Sequence, residues 1–352
     1  MDKTPKRIAV VLFNLGGPDG LEAVQPFLLN LFSDKSILRL PNPFRAVLAN
    51  VIARKRAPEA RKIYSEIGGR SPLLPNTQAQ AAALEDGLKD CGEVRVFLAM
   101  RYWHPMSDEA VMQVQDFAPD QVVLLPLYPQ YSTTTTASSL RVWREAAQAF
   151  RFDCRTHVVC CYPWEGGFID ALAGLIRPRV DEAAQHGRPR VLFSAHGLPE
   201  KIVKAGDPYQ WQCERTAAAI VRALAIDGLD WVSCYQSRVG PLKWIGPSTE
   251  EEVERAGRDR VPLVVVPIAF VSDHSETLVE LDIEYRHLAE RCGVPYYARV
   301  ATVGTAEAFV AALRRLVLAA IAADRPMISG EIDRLCPADW AGCPMDAAAG
   351  RM

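Results

Sequence analysis

Two histidine-bearing segments hold the chemistry of this chain. Ser194-Ala-His-Gly-Leu-Pro199 sets an imidazole in a turn directly after an apolar run, and Ser272-Asp-His-Ser-Glu-Thr-Leu-Val-Glu-Leu-Asp-Ile-Glu-Tyr285 follows further along. Imidazole and carboxylate both ligate borderline metals and both accept protons near neutral pH, so together they suit a site that moves a metal ion and protons. Gly197 and Pro199 make a turn that presents His196 at a sheet edge. A lone loop histidine is ordinary, and by itself His196 says little. The second segment adds Asp273, His274, Glu276, Glu280 and Glu284, the last three recurring every four residues along one side of a helix. Alone, such a row reads as a solvated face. Beside the apolar run Val264 to Phe270 it reads as a helix start at a sheet end, where carboxylates line a cleft and help desolvate a cation.

Short apolar runs must position these groups: Ile8 to Phe13, Val94 to Ala99, Val122 to Leu127, Val158 to Cys161, Val191 to Phe193, Trp231 to Tyr235 and Leu263 to Ile268. They alternate with amphipathic helical stretches, the βαβ pattern of a parallel sheet covered on both faces. Turns such as Asn14-Leu-Gly-Gly-Pro18 and His196-Gly197 follow the strands, so functional groups collect at the carboxyl ends. Two such α/β units fit the 352 residues, with a boundary near residues 155 to 165. The expected division is 1–158, 159–326 and a tail 327–352, with a helix over Thr305 to Ala322 crossing back to the first unit. The tail is expected to pack poorly unless something ties it down.

The chain is 49% hydrophobic, enough for a substantial core, and its formal net charge of -2 gives no electrostatic case for nucleic-acid binding. Met1 to Arg7 runs straight into a strand too short for a signal peptide or membrane span, so a cytoplasmic address is expected. In that compartment the nine cysteines are free thiols or metal ligands rather than a disulfide framework.

The joint order of several segments resembles the ferrochelatase family, whose members insert ferrous iron into a porphyrin. Besides the two histidine segments these are Leu12 to Pro18, Tyr64-Ser-Glu-Ile-Gly-Gly-Arg-Ser-Pro72, Met100-Arg-Tyr-Trp-His-Pro105, Tyr128-Pro-Gln-Tyr-Ser132, Gly206-Asp-Pro-Tyr209 and Tyr235 to Trp244. The resemblance implies two similar Rossmann-like domains, each a parallel sheet flanked by helices, enclosing a porphyrin cleft. It implies His196 as the active-site histidine and Glu276 as its partner, the two also being the groups that would meet Fe2+. A porphyrin must lose two pyrrole protons before its four nitrogens bind a divalent metal, so a base and a desolvating ligand set are both required. His196 is read as proton acceptor, with Asp273, His274 and Glu280 a path for protons or iron. The opposite assignment, His196 as first iron ligand, stays open. By resemblance Arg101 and Tyr102 face the other side of the macrocycle, and Tyr64 and Ser71 hold a propionate or ring edge; core packing is the competing account of the aromatics.

Phe44, Val47, Leu48, Val51 and Ile52 form a helical stripe that ends in Arg54-Lys-Arg56. It could pack on the core. By resemblance it is the lip before the porphyrin entrance, and an apolar stripe with a basic end suits peripheral attachment to the inner face of the membrane. Cys336 and Cys343, in Cys-Pro-Ala-Asp-Trp-Ala-Gly-Cys-Pro344, and Cys160-Cys161 could together hold a [2Fe-2S] cluster. Some ferrochelatases carry one through a cysteine-containing extension; animal members use three close tail cysteines and one internal, whereas this tail has two, with Met345 near the third place. The competing account of Cys160 and Cys161 is as buried hydrophobes. The expected activity is conversion of protoporphyrin IX and ferrous iron to protohaem without a nucleotide cofactor, in a chain that could form a homodimer. Coproporphyrin as substrate, or a non-catalytic haem or porphyrin carrier, are the alternatives.

Overall fold

Nine parallel strands divide between two sheets in the computed structural model, which describes residues 6–238, 240, 242–330 and 334–347. Met1 to Pro5, and Val239 and Pro241 of the Tyr235 to Trp244 segment, lie outside the described residues. The first sheet comprises β1 (Arg7–Asn14), β2 (Glu93–Met100), β3 (Gln121–Pro126), β4 (Arg155–Val159) and β9 (Met327–Ile328), in the order β2-β1-β3-β4-β9. The second comprises β5 (Arg190–His196), β6 (Asp230–Gln236), β7 (Leu263–Pro267) and β8 (Tyr297–Arg299), in the order β6-β5-β7-β8. The central strands carry near-continuous Val, Ile and Leu because helices cover both faces; every residue of β3 and β7 is buried.

In each sheet the strand order reverses beside its first strand, between β1 and β3 and between β5 and β7. Chains leave these pairs in opposite directions, which opens a crevice at the carboxyl ends. His196 is the last residue of β5, and the His274–Glu276 turn follows β7, so the second crevice gathers both histidine segments.

Polar side chains join the lobes. Gln80 Nε2 donates to the carbonyls of Val271 and Gly304, both at 2.9 Å, and its Oε1 accepts from Ser272 Oγ at 2.9 Å. Gln130 Nε2 donates to Thr216 Oγ1 and to the Ile268 carbonyl. These side chains are fully enclosed, so each bond satisfies a group that would be costly to bury alone.

Two local outcomes differ from the apolar pattern. The strand expected over Val158 to Cys161 runs instead over Arg155–Val159, leaving the cysteines just beyond it, although Cys160 N still donates to Ile328 O at 2.8 Å. The tail is tied down. Met327 and Ile328 add the fifth strand by pairing with Val158 and Val159, and both are buried. Trp340 packs on Trp211, and Gly342 N donates to Gly206 O at 3.0 Å. A Cβ on Gly342 would fall 2.6 Å from that carbonyl, so only glycine permits this approach. The helix Glu307–Ala322 spans the lobes, touching β4 and the helices Leu73–Gly87 and Gly166–Ala184.

Candidate active site

Strand β5 delivers His196 from a fully buried run to the cleft edge. Gly197 follows because a Cβ there would crowd Gln236 O at 3.0 Å and the Arg238 and Trp244 side chains. His196 Nδ1 lies 2.7 Å from the Gly197 carbonyl, an acceptor, so Nδ1 carries the proton and Nε2 keeps its lone pair toward the cleft. Nε2 stands 3.7 Å from Glu276 Oε1, and His274 Nε2 stands 3.7 Å from Glu276 Oε2. One carboxylate is thus flanked by two imidazoles. Burial alone would push the Glu276 carboxyl up, but the positive charges that His196 and His274 carry when protonated bring it down to about 2. The site therefore holds a permanent negative charge beside a base.

Glu276 opens a helical stretch, Glu276–Glu284, that is π-helical, with i→i+5 hydrogen bonds. Glu280 is bound tightly within it: its carboxylate accepts from Gln236 Nε2 at 3.0 Å, Ser237 N at 2.7 Å, Ser237 Oγ at 2.5 Å and Tyr285 OH at 2.9 Å. Burial, and then the charge of Glu280, raise the carboxyls of Glu284 and Glu250, which line an open acidic groove at the outer end of the row. Asp273 is committed elsewhere. Its Oδ1 accepts from Arg299 Nη1 at 2.7 Å and Thr277 Oγ1 at 3.0 Å, so its charge is spent.

Of the other sequence-derived residues, Tyr64 reaches the site from the helix Phe44–Glu66. Its buried hydroxyl, hydrogen-bonded to Ser275 and near Glu276, is pushed up to about 12 mainly by burial. Ser71 supports the Asn14 to Pro18 turn: its backbone N donates to Pro18 O at 2.8 Å and its Oγ lies against Gly17. Arg101 and Tyr102 both bind the buried Asp34, at 2.7 Å and 2.9 Å, with Arg141 and Ser138 completing its shell. Asp34 and Arg299 were not singled out by sequence, being common residue types in unremarked surroundings, and Gln236 was given no role within the Tyr235 to Trp244 segment. Among the described residues no group of three or more His, Cys, Asp or Glu side chains is placed to hold a single metal ion.

The structure gathers the four cysteines. Cys160 and Cys161 Sγ atoms are 3.4 Å apart, Cys336 hydrogen-bonds Cys343, and Gln212 Nε2 reaches Cys161 Sγ at 3.5 Å and Cys336 Sγ at 3.1 Å. All four are buried free thiols. The neighbouring sulfur, then burial, pushes the thiols of Cys160 and Cys336 well above the usual cysteine range.

The stripe residues Phe44, Val47, Leu48 and Val51 are exposed, Phe44 by 70%, while Ala49, Ala53 and Ala57 on the other side of the same helix are buried. The core takes the alanine face. No helix among the described residues is long and apolar enough to cross a membrane.

Comparison with known proteins fits this geometry. The ferrochelatase family model matches residues 7–321. Ferrochelatase of Caulobacter vibrioides (strain NA1000 / CB15N) is 51% identical over 342 residues, covering 96% of this chain and 97% of its own. Ferrochelatases of Phenylobacterium zucineum and of Wolbachia sp. subsp. Drosophila simulans are 52% and 53% identical, covering 96% and 88% of this chain and 97% and 98% of their own. Among solved structures, SirB from Bacillus subtilis with Fe3+ shares the fold, with a TM-score of 0.52 at 11% identity, over 90% of this chain and 96% of that one. With the histidine and carboxylate pair at the crevice of the second sheet and relatives at this level of identity, the chain belongs to the ferrochelatase family and is a porphyrin metal chelatase of haem synthesis.

Proposed function

We propose that the cleft takes protoporphyrin IX and ferrous iron and releases protohaem. The observation that carries this reading is the Glu276 carboxylate held 3.7 Å from both His196 Nε2 and His274 Nε2. His196 Nε2, its lone pair free because Nδ1 is bound to Gly197 O, accepts a pyrrole proton, and the resulting imidazolium is stabilised by the ionised Glu276. Removal of two protons leaves a porphyrin dianion whose nitrogens replace the ligands that stripped water from the iron. His274, Glu280 and the outer acids Glu284 and Glu250 supply a route for protons or metal, without Asp273, whose charge Arg299 holds. Protoporphyrin over coproporphyrin is supported by the Glu280-Leu-Asp-Ile-Glu-Tyr285 ending. The domain division 1–158, 159–326 and 327–352 is supported by the two sheets, with the start of the tail returning to the first. The exposed lip supports attachment at the inner face of the membrane.

The cysteine group fits a [2Fe-2S] cluster held by Cys160, Cys161, Cys336 and Cys343. The four cysteines are crowded and buried, the raised thiols of Cys160 and Cys336 lose their protons only if a cation compensates, and the Gln212 amide is already aimed at two of the sulfurs. When bound, such a cluster would supply an electron-storing centre and a covalent tie between the tail and the segment after β4.

The experiment is anaerobic turnover of the purified chain with ferrous iron and either protoporphyrin IX or coproporphyrin III. Protohaem formation in the wild type, lost in His196→Ala while porphyrin still binds with its spectral shift, is the expected result. Preference for coproporphyrin would overturn the substrate assignment, and near-normal turnover of His196→Ala would overturn the mechanism. No turnover of either porphyrin would indicate a carrier.

A further inference from the structure

We propose that Arg299 is a positioning residue for chelation: it clamps both ends of the π-helical segment Glu276–Glu284 and so fixes the aim of Glu276 and Glu280 into the cleft. Arg299 ends β8, the edge strand of the second sheet, and its side chain is only 10% exposed. Nε and Nη2 take the two oxygens of Asp282 at 3.0 Å and 2.6 Å, a bidentate pair, while Nη1 takes Asp273 Oδ1 at 2.7 Å. Asp273 lies before Glu276 and Asp282 lies after Glu280, so one guanidinium spans the segment that carries both functional acids. Its planar fork does this without rearrangement, which an ammonium cannot match.

The π-helix needs such support. Wide i→i+5 turns are rare on their own, so the choice of register falls to contacts made from outside. The second sheet supplies them. Tyr297 OH donates to Leu281 O at 2.6 Å, Gln236 Nε2 donates to Glu276 O at 2.9 Å, and Arg286 Nη1 returns from the following helix to Tyr297 O at 3.2 Å. Those three are single bonds to backbone carbonyls. Among the described residues Arg299 alone binds charged side chains on both flanks, and slipping the segment to an α-helical register would rotate Asp282 away from it while turning Glu280 off Ser237. The same ion pairs explain why Asp273, adjacent to the site in sequence, contributes no free carboxylate.

The test measures chelation and local stability in Arg299→Leu, Arg299→Lys and Asp282→Asn. If the clamp aims the acids, Arg299→Leu lowers kcat by about ten- to a hundredfold, as expected for a displacement near 1 Å, with KM for porphyrin held within about twofold. Arg299→Lys recovers part of the rate, Asp282→Asn reproduces the loss, and the Arg299→Leu/Asp282→Asn pair adds little to either single change because one interaction is removed twice. Amides of 276–284 exchange faster while those of β5 and β7 do not. Unchanged kcat in Arg299→Leu overturns the proposal. So does a loss that tracks the unfolded fraction in all three variants with exchange accelerated evenly along the chain. Should Arg299→Leu fail to fold, Arg299→Lys and Asp282→Asn give the same decision.

Discussion

Replacing Phe44 and Val47 with serine is expected to release the protein from lipid without touching its fold. These are the most exposed large apolar residues of the lip, at 70% and 65%, and Leu48 and Val51 beside them expose 37% and 44%. Full burial of such a side chain is worth about 1.5–3 kcal/mol, so seating the exposed parts of Phe44 and Val47 in the interfacial region contributes about 2–4 kcal/mol together. At about 1.4 kcal/mol per power of ten, the double variant should lose between about one and three powers of ten in its vesicle partition coefficient. Stability should move by less than about 0.5 kcal/mol, because neither side chain is part of the core. Sedimentation with vesicles of mixed anionic and zwitterionic lipid measures the first quantity and thermal melting the second. Adding salt separates the share of Arg54, Lys55 and Arg56, since screening weakens charge contacts and leaves apolar burial in place. An unchanged partition coefficient would refute the lip as a membrane contact. A loss of binding that only follows a fall in melting temperature would refute the claim that these residues are free of the core.

Glu276, held at about 2 against an ordinary 4.5, contributes stability that is full above pH 4.5 and is lost as pH falls through about 2. The gap between wild type and Glu276→Gln stabilities in urea should therefore be largest just above pH 4.5, where the carboxylate is ionised and the flanking imidazoles are protonated, on the order of 2–3 kcal/mol, and shrink on further acidification; a gap that grows below pH 4 would contradict the assignment. Protein purified without air should show the visible absorption of an oxidised [2Fe-2S] centre that Cys336→Ser or Cys343→Ser bleaches; a colourless preparation without inorganic sulfide would remove those ligands from consideration. Gln212→Leu should keep the centre but lower its reduction potential, because two hydrogen bonds to sulfur that stabilise the more negative reduced state are lost; an unaltered potential in a titration followed by electron paramagnetic resonance would count against that contact.

The sheets were legible because buried parallel strands must be apolar along their whole length, and runs such as Val122 to Leu127 and Leu263 to Ile268 have no other economical reading. The meeting of His196 with Glu276 was legible because their segments combine a strand end, a turn and titratable groups in a short space. The boundary at Cys160 was not, since a cysteine packs like a small hydrophobe whether it continues a strand or leaves it. Nor was the anchoring of the tail, which rests on a two-residue strand, the approach of Gly342 to Gly206 and the Trp211–Trp340 contact. None of these leaves a periodic trace.

The acidic helix shows where such reasoning stops. An i, i+4, i+8 row implies one face on either helix type: with about 3.6 residues per turn, four residues slightly overshoot a turn, and on the wider π-helix they fall slightly short. The pattern thus identified Glu276, Glu280 and Glu284 as neighbours without revealing which helix carried them. What selects the π register lies elsewhere in the chain, in Gln236, Tyr297 and Arg299 on two other strands. Arg299 also decides which acid is spent. Asp273 and Glu276 are equal as carboxylates in a short segment, yet one is neutralised by an arginine at 2.7 Å and the other stands between two imidazoles at 3.7 Å. The carboxylate we propose to react is the one whose neighbours are themselves bases, a distinction that arises only when β5 and β8 are brought beside the same turn.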